Sequence, residues 1–332
     1  MGRRIGCAPL PALSPRFQPR KLDSNVPGSV LRETGQHITR PHSFMGRESS
    51  IVMSISLGLN GVVLSGTLIA ALSTAAAASP FASSVLGYDS GSNAAAGYTD
   101  ASTALGSAER FTGEGVFPSG VTPFNPAFGA DEIVSVGSGG YLSLGFNTAI
   151  TNDASHAFGV DLIVFSNAGF ADATWTDSDP NNDGTGNTGA NPFIFGAGGA
   201  ATIQVSQNGI DWITATTTTL DLFPTLGYSD FVDATPASHG LIESDFTKAL
   251  DPTLTAADLA NMSFADLRTF YNGSGGGVGI DIASTGLTSA SFVRFLNESG
   301  EAFEIDAVAV VPAPSTLIAL SVVGLATTRR RR

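Results

Sequence analysis

The densest group of oxygen-bearing side chains in the sequence lies in residues 177–184. Four of these side chains could serve as metal ligands: Asp177, Asp179, Asn181 and Asp183. The last three stand at alternate positions and Gly184 follows them, as in the first half of an EF-hand loop for Ca²⁺. Ala190 occupies the position at which an EF-hand has a bidentate Glu. The segment therefore indicates either a calcium site or a solvated loop of turn-forming residues.

Acidic residues at the ends of predicted strands form a second candidate group. Asp161 precedes a nearly continuous apolar run, while Glu304 and Asp306 alternate with apolar residues. A buried carboxylate has to be paired, hydrogen-bonded or bound to a metal, because an isolated buried charge is very costly. We expect backbone hydrogen bonds or a cation as partners for these groups if they are buried. The alternative is exposure on an edge strand.

Two tryptophans complete the candidate binding residues. Trp175 adjoins the acidic loop and could stack on a sugar ring of an exopolysaccharide, or it could pack against the protein. Trp212 follows the turn at Asn208-Gly209; it could also stack on a sugar ring, but we expect it to pack in the core.

The sequence favours a protein without catalytic residues. Within residues 79–328 the histidines are His156 and His239, and the single cysteine of the chain, Cys7, lies outside that range. Ser143 lies in an alternating strand pattern and lacks the Gly-x-Ser-x-Gly context of a nucleophile elbow. The alternative is an extracellular carbohydrate-active hydrolase or lyase that uses paired carboxylates.

Charge is distributed unevenly along the 332 residues, whose net charge is −13. Of the 16 basic residues, eight lie in 1–78 and four are the last four residues, which leaves four for 79–328. Of the 29 acidic residues, three lie in 1–78, so that 79–328 carries 26 acids and a net charge of −22. Nucleic-acid binding needs a basic surface, so this balance argues against a nucleic-acid partner.

The N-terminal part is typical of an export signal. An apolar run over 55–72 follows Arg47 and leads into the small residues 74–79, which suit cleavage by signal peptidase. We therefore predict a signal peptide over 45–78, with an uncleaved membrane anchor as the alternative. Residues 1–44 are rich in Pro and Arg and show no apolar period, which indicates a disordered leader or a segment upstream of the true start.

The C-terminal part has three successive features. A Val-Pro-Ala-Pro-Ser motif at 311–315 precedes an apolar stretch over 316–326, and four arginines follow. By the positive-inside rule the arginines hold that end on the cytoplasmic side of the membrane, with the body outside. The residues expected to carry this signal are Val311, Pro312, Pro314, Arg329, Arg330, Arg331 and Arg332.

This tail resembles the PEP-CTERM sorting signal of exported bacterial surface proteins, with Ala313 where that family usually has Glu. The resemblance implies processing by an exosortase-type membrane enzyme after a temporary membrane tether, and delivery to the cell surface or the exopolysaccharide matrix. The segments 137–140, 159–167, 205–209 and 273–281 also resemble surface proteins that carry such a tail. That second resemblance implies a secreted β-sandwich with no known reaction. An ordinary tail anchor is the alternative for residues 311–332.

The body, residues 79–310, must position the candidate residues. Its sequence predicts short strands separated by Gly-, Asn- and Asp-rich turns. The fold class expected is all-β, a jelly-roll-like β-sandwich. In the last strand, 302–310, alternation predicts that Phe303, Ile305, Ala307 and Ala309 share one face. Capping patterns beginning at Thr255 and Ser263 predict one or two short helices at the sandwich edge.

Overall fold

The computed structural model of the protein describes residues 53–59, 62–68, 78–113, 119–174, 185–196, 198–231, 240–298 and 300–312. The chain divides into two units, Met1–Thr74 and Ala75–Arg332. In the first unit, an antiparallel hairpin pairs β1 (Met53–Leu59) with β2 (Val62–Leu68). This hairpin lies within the predicted signal peptide, whereas the leader predicted over 1–44 falls outside the described residues.

The second unit consists mainly of short strands. They are β3 (Ala82–Asp89), β4 (Phe111–Thr112), β5 (Ser119–Gly120), β6 (Val134–Val136), β7 (Tyr141–Thr151), β8 (Leu162–Phe165), β9 (Gly169–Phe170), β10 (Ile194–Phe195), β11 (Ala201–Ser206), β12 (Ile213–Thr218), β13 (Val278–Ile280), β14 (Ser289–Asn297), β15 (Phe303–Ile305) and β16 (Ala307–Val310). Every pairing between these strands is antiparallel. The all-β fold class predicted from the alternating patterns is therefore confirmed.

The largest sheet has five strands in the order β12-β11-β14-β7-β3. The predicted Asn208-Gly209 turn connects β11 to β12, and Gly209 adopts a positive φ of 73°. Asn208 stabilises the turn because its Oδ1 accepts the N–H groups of Ile210 and Asp211, both at 2.9 Å. The other neighbours in this sheet are far apart in sequence, so tertiary packing rather than local turns sets their order.

One face of the five-stranded sheet packs into the main core. Its buried side chains there include Leu142, Leu144, Ile203, Val293 and Phe295. The same core contains apolar side chains of the three-stranded sheet β13-β8-β16 and of the pair β15-β6. All four residues of β8 are fully buried, as expected for an apolar run covered on both faces.

The last predicted strand is interrupted at Asp306. Phe303 and Ile305 lie in the main core, but Ala307 and Ala309 lie in a different apolar cluster, together with Phe165. The prediction that these four residues share one face was therefore wrong. At Asp306 the chain changes partner from β6 to β8, and its N–H donates to the carbonyl of Phe165 at 3.0 Å. This change of partner shifts the alternation by one residue, so that β16 sends Val308 and Val310 into the main core instead.

The predicted helical region is confirmed. Thr255 precedes a 3₁₀ turn (Ala256–Leu259), and Ser263 caps the α-helix α1 (Phe264–Tyr271). In α1 the Ser263 side chain accepts the N–H of Asp266, whose carboxylate accepts the Ser263 N–H in return. The helix packs on an apolar cluster that is separate from the main core and includes Phe170, Phe231 and Leu267. Among the described residues, none of the helices has the length and apolar character needed to cross a membrane.

Candidate functional site

The predicted calcium ligands and the predicted sugar-binding tryptophan lie in 175–184, outside the described residues. They are Asp177, Asp179, Asn181, Asp183 and Trp175. The described residues on both sides of this segment are tied together. Asp172 Oδ1 accepts the N–H groups of Thr174 and Asn187, both at 2.9 Å, and the Ala173 N–H donates to the Asn187 carbonyl at 2.8 Å. Hydrogen bonds therefore join the residues that precede the acidic segment to those that follow it.

Of the predicted sorting residues, Val311 and Pro312 are described, while Pro314 and the four terminal arginines lie outside the described residues. The Val311 side chain is buried, with 8% of the residue exposed, and its N–H donates to the Asp161 carbonyl at 3.0 Å. Pro312 is exposed. Val311 is therefore the last buried residue in the described part of the chain.

The two described ends of the body lie side by side. The Val310 N–H donates to the Pro80 carbonyl at 2.8 Å, and Phe81 forms an antiparallel bridge with Ala309. Phe81 also packs on the apolar cluster that contains Ala309. The residues that follow the predicted signal peptide therefore contact those that precede the predicted tail.

Asp161 is fully buried, and its side chain accepts hydrogen bonds from three parts of the body. Its Oδ1 accepts the Asp153 N–H at 3.2 Å and lies 2.9 Å from Nδ1 of His156, while Oδ2 accepts the Ile282 N–H at 3.0 Å. The His156 side chain is only 1% exposed, and its Nε2 has no hydrogen-bond partner among the described residues. A carboxylate behind a histidine resembles the support of metal-binding histidines. However, within the described part of the chain, no group of three or more His, Cys, Asp or Glu side chains could hold a metal ion.

Asp306 is buried, with 1% of the residue exposed, so the alternative that it lies exposed on an edge strand is wrong. Both carboxylate oxygens accept the Glu109 N–H, at 3.2 and 3.1 Å. Burial raises the pKa of Asp306 well above its ordinary value, against the opposing effect of this hydrogen bond. Nearby, Glu132 is also buried, and its carboxylate accepts the Thr112 hydroxyl at 2.6 Å and the Gly129 N–H at 2.8 Å.

The carboxyl groups of Asp221 and Glu304 both have raised pKa values. Burial raises the pKa of Asp221 to about 6, and the negative charge of Glu304 adds to the rise, against hydrogen bonds from Gly198 and Ser166. Burial also raises the pKa of Glu304, although Ser135 donates to its Oε1 at 2.8 Å. Asp221 is only 5% exposed, whereas Glu304 is half-buried.

The face of the five-stranded sheet opposite the main core carries a row of polar side chains. The strand register places the side chains of Thr214, Gln204, Arg294 and Ser143 in this row. Gly87, which has no side chain, takes the position on the edge strand β3. The neighbouring residues Ile203, Phe295 and Leu142 point into the core, so the row belongs to the outer face. The outer face therefore has Arg294 on its central strand.

Arg294 lies close to two aromatic rings. Its guanidinium carbon lies 4.0 Å from the ring centroid of Trp212 and 5.4 Å from that of Tyr141, and its Nε donates to Ser143 Oγ at 2.9 Å. Gly87 leaves room for Tyr141, because a Cβ at position 87 would lie 3.2 Å from the tyrosine ring. These contacts keep a cation and two aromatic surfaces together on one side of the sheet.

The prediction that Trp212 packs in the core was wrong. Trp212 is half-buried and stacks on Arg294, and it is absent from the described apolar clusters. Arg294 and Tyr141 were not predicted as site residues. The available signal was a lone arginine in an otherwise uncharged strand, Ser289–Asn297. Its aromatic neighbours are Tyr141 in β7 and Trp212, the residue just before β12, which the sequence alone does not bring together.

Comparison with known proteins supplies no family for this chain. No protein-family model matches it, and no curated protein is found to match it.

Proposed function

We propose that this protein is an exported, non-enzymatic surface protein that adheres to polysaccharide. In this proposal the five-stranded sheet and the smaller sheets stack as a jelly-roll-like β-sandwich, and the outer face of the larger sheet contacts the polysaccharide. The observation that carries the proposal is the group of Trp212, Arg294 and Tyr141 on that face. Aromatic rings offer apolar surface to sugar C–H groups, and the neighbouring polar groups can bind hydroxyls.

The outer face can be tested by pull-down of the full-length protein on exopolysaccharide. Trp212→Ala should reduce the retained fraction without lowering the melting temperature by more than a few degrees, because Trp212 lies outside the described apolar clusters. Trp175→Ala, at the other candidate tryptophan, serves as the comparison. Full retention by both variants would contradict adhesion through aromatic side chains.

The proposed route to the surface relies on the two ends of the sequence. Signal peptidase would remove the segment 45–78, and an exosortase-type enzyme would process the tail over 311–332 after a temporary membrane tether. The Pro312–Pro314 motif, the apolar stretch and Arg329–Arg332 support this assignment. Fractionation of cells that express the full chain, a tail-deleted chain or a chain without Arg329–Arg332 tests it. Unchanged surface localisation of the tail-deleted protein would refute the sorting role.

We further propose that the acidic segment binds Ca²⁺ through four side chains. They are Asp177, Asp179, Asn181 and Asp183. Two observations support this site. The oxygen ligands alternate along the segment, and Asp172 joins the two flanks of the segment by hydrogen bonds to Thr174 and Asn187. Titration calorimetry of the full chain with CaCl₂ should show binding that Asp179→Asn combined with Asp183→Asn removes. Absence of binding heat together with an unchanged melting temperature would reject the site.

A further inference from the structure

The guanidinium of Arg294 uses only part of its hydrogen-bonding capacity within the protein. Its Nε donates to Ser143 Oγ at 2.9 Å, while its two terminal nitrogens have no acceptor among the described residues. The described ion pairs involve other residues, namely Arg110 with Glu243 and His156 with Asp161. Arg294 therefore presents two nitrogen donors that the described structure does not use.

The other three cations of residues 79–328 bind backbone carbonyl groups. Arg110 donates to the carbonyls of Gly227 and Ser244, Lys248 to that of Asn272, and Arg268 to that of Ser229. Each of these three cations is therefore bound to backbone elsewhere in the body. Arg294 differs because its described hydrogen bond is to a side-chain hydroxyl on the outer face of the sheet.

We propose that Arg294 binds the carboxylate of an acidic sugar residue. A guanidinium and a carboxylate match in geometry, and two parallel N–H···O bonds between them are stronger than hydrogen bonds between neutral groups. The stacking of Trp212 and the bond to Ser143 restrict the guanidinium before the ligand arrives. Less conformational freedom is then lost on binding.

The neighbouring residues suit the remainder of a sugar. The rings of Trp212 and Tyr141 supply apolar surface for the C–H groups of a pyranose. Beside Arg294, Gln204 Nε2 donates to Thr214 Oγ1 at 3.2 Å, and no described donor occupies the amide oxygen of Gln204. That oxygen can accept a sugar hydroxyl. The face therefore combines a carboxylate-binding cation with contacts for a neutral sugar body.

The charge of the body limits the kind of polysaccharide further. Residues 79–328 carry a net charge of −22, which repels a densely charged polyanion. A single carboxylate in contact with Arg294 avoids most of this repulsion, since charges beyond about 8 Å are largely screened at physiological salt. The ligand class is thus a mostly neutral polysaccharide with occasional carboxylated sugars. This inference rests on the proposed polysaccharide adhesion and assigns its specificity.

Two matched trisaccharides provide the direct test. One carries a single glucuronic acid, and in the other that acid has been reduced to glucose, so that the pair differs only at the carboxylate. The full-length protein should bind the acidic trisaccharide between about tenfold and about a hundredfold more tightly, the range expected for hydrogen bonds to a charged group. Equal affinity for the two sugars would overturn the role of Arg294 while leaving adhesion to neutral polysaccharide intact.

Substitutions locate the preference. Arg294→Gln should abolish the difference between the two trisaccharides, and Arg294→Lys should retain part of it, because Lys keeps the charge but lacks the planar fork. Lys248→Gln is the matched control, since it removes the same charge from an exposed residue whose described contact is with Asn272. A preference that survives in Arg294→Gln, or that disappears equally in Lys248→Gln, would refute the assignment.

A second measurement leaves the outer face unaltered. The protein contains two tryptophans, so Trp175→Phe leaves Trp212 as the sole indole reporter. The acidic trisaccharide should change the fluorescence of Trp212 with the same affinity as in the calorimetric titration, and the reduced trisaccharide should require a correspondingly higher concentration. Binding of the acidic sugar with no change in Trp212 emission would place the site elsewhere.

Discussion

Removal of the buried charge at Asp221 should stabilise the protein at neutral pH. Burial raises the pKa of this carboxyl from 3.8 to about 6 in the folded state, despite hydrogen bonds from Gly198 and Ser166. The folded protein therefore holds the proton more tightly than the unfolded chain does. Stability from this group is fully present below about pH 4 and is lost as the pH rises through about 6.

The magnitude follows from the two pKa values. Their difference, multiplied by about 1.4 kcal/mol per pKa unit, gives a loss of about 3 kcal/mol once Asp221 is ionised. Asp221→Asn replaces the carboxyl with a neutral group of nearly the same shape, whose oxygen can still accept the Gly198 N–H. The variant should therefore be more stable than the wild type by up to about 3 kcal/mol at pH 7.5 and nearly equal to it at pH 4.

Urea unfolding of the full-length protein at several pH values between 4 and 7.5 measures this difference. Asp131→Asn is the matched control, because it removes the same charge from an exposed side chain and should change stability by less than about 0.5 kcal/mol. Some decline toward neutral pH should remain in Asp221→Asn, since burial also raises the pKa values of Glu304 and Asp306. A variant that is less stable than the wild type at pH 7.5, or a difference that does not vary with pH, would refute the reasoning.

Substitutions at Ser263, Phe295 and Gly277 test the fold. Ser263→Ala should cost about 1 kcal/mol in urea unfolding by removing the cap of α1, and Ser263→Asp should restore most of it. Phe295→Ala should cost about 3–5 kcal/mol because the ring is fully buried in the main core, whereas a Trp212→Ala cost of that size would contradict the outer-face position of Trp212. Gly277→Ala should prevent folding to the native state, as judged by circular dichroism, because Gly277 has a φ of +80° and a Cβ there would lie 2.5 Å from Ile163; a native spectrum would contradict this.

Local features of the fold were predictable because their causes lie within a few residues. The alternation of Leu142 and Leu144 with polar residues marks a strand with one buried face, and the four apolar residues of β8 mark a strand buried on both faces. The capping box at Ser263 and the turn at Asn208-Gly209 depend on side chains that bond to nearby backbone groups. These features depend only on residues that are close together in the sequence.

The predictions for the strand over 302–310 and for Trp212 were wrong because a distant segment of the chain determines the packing at each place. Asp306 interrupts an apparently continuous strand because Phe165, over a hundred residues earlier in the sequence, accepts its N–H and β16 then pairs with β8. Trp212 lies over Arg294 because β11 and β14 are neighbours in the sheet. Periodicity reports the spacing of apolar residues within a segment and carries no information on which strand will lie beside it.

The sequence by itself determined the strand-rich body, its capped helix and the separation of an acidic middle from basic ends. Only the tertiary structure decided that Arg294, Ser143 and Gly87 share one row and that Trp212 and Tyr141 lie close to the arginine. The physical reason is that the order and register of sequence-distant strands follow from how their buried faces fit together in one core. Residue types and spacing thus indicated the elements, whereas packing of the core placed the candidate site on the opposite face of the sheet.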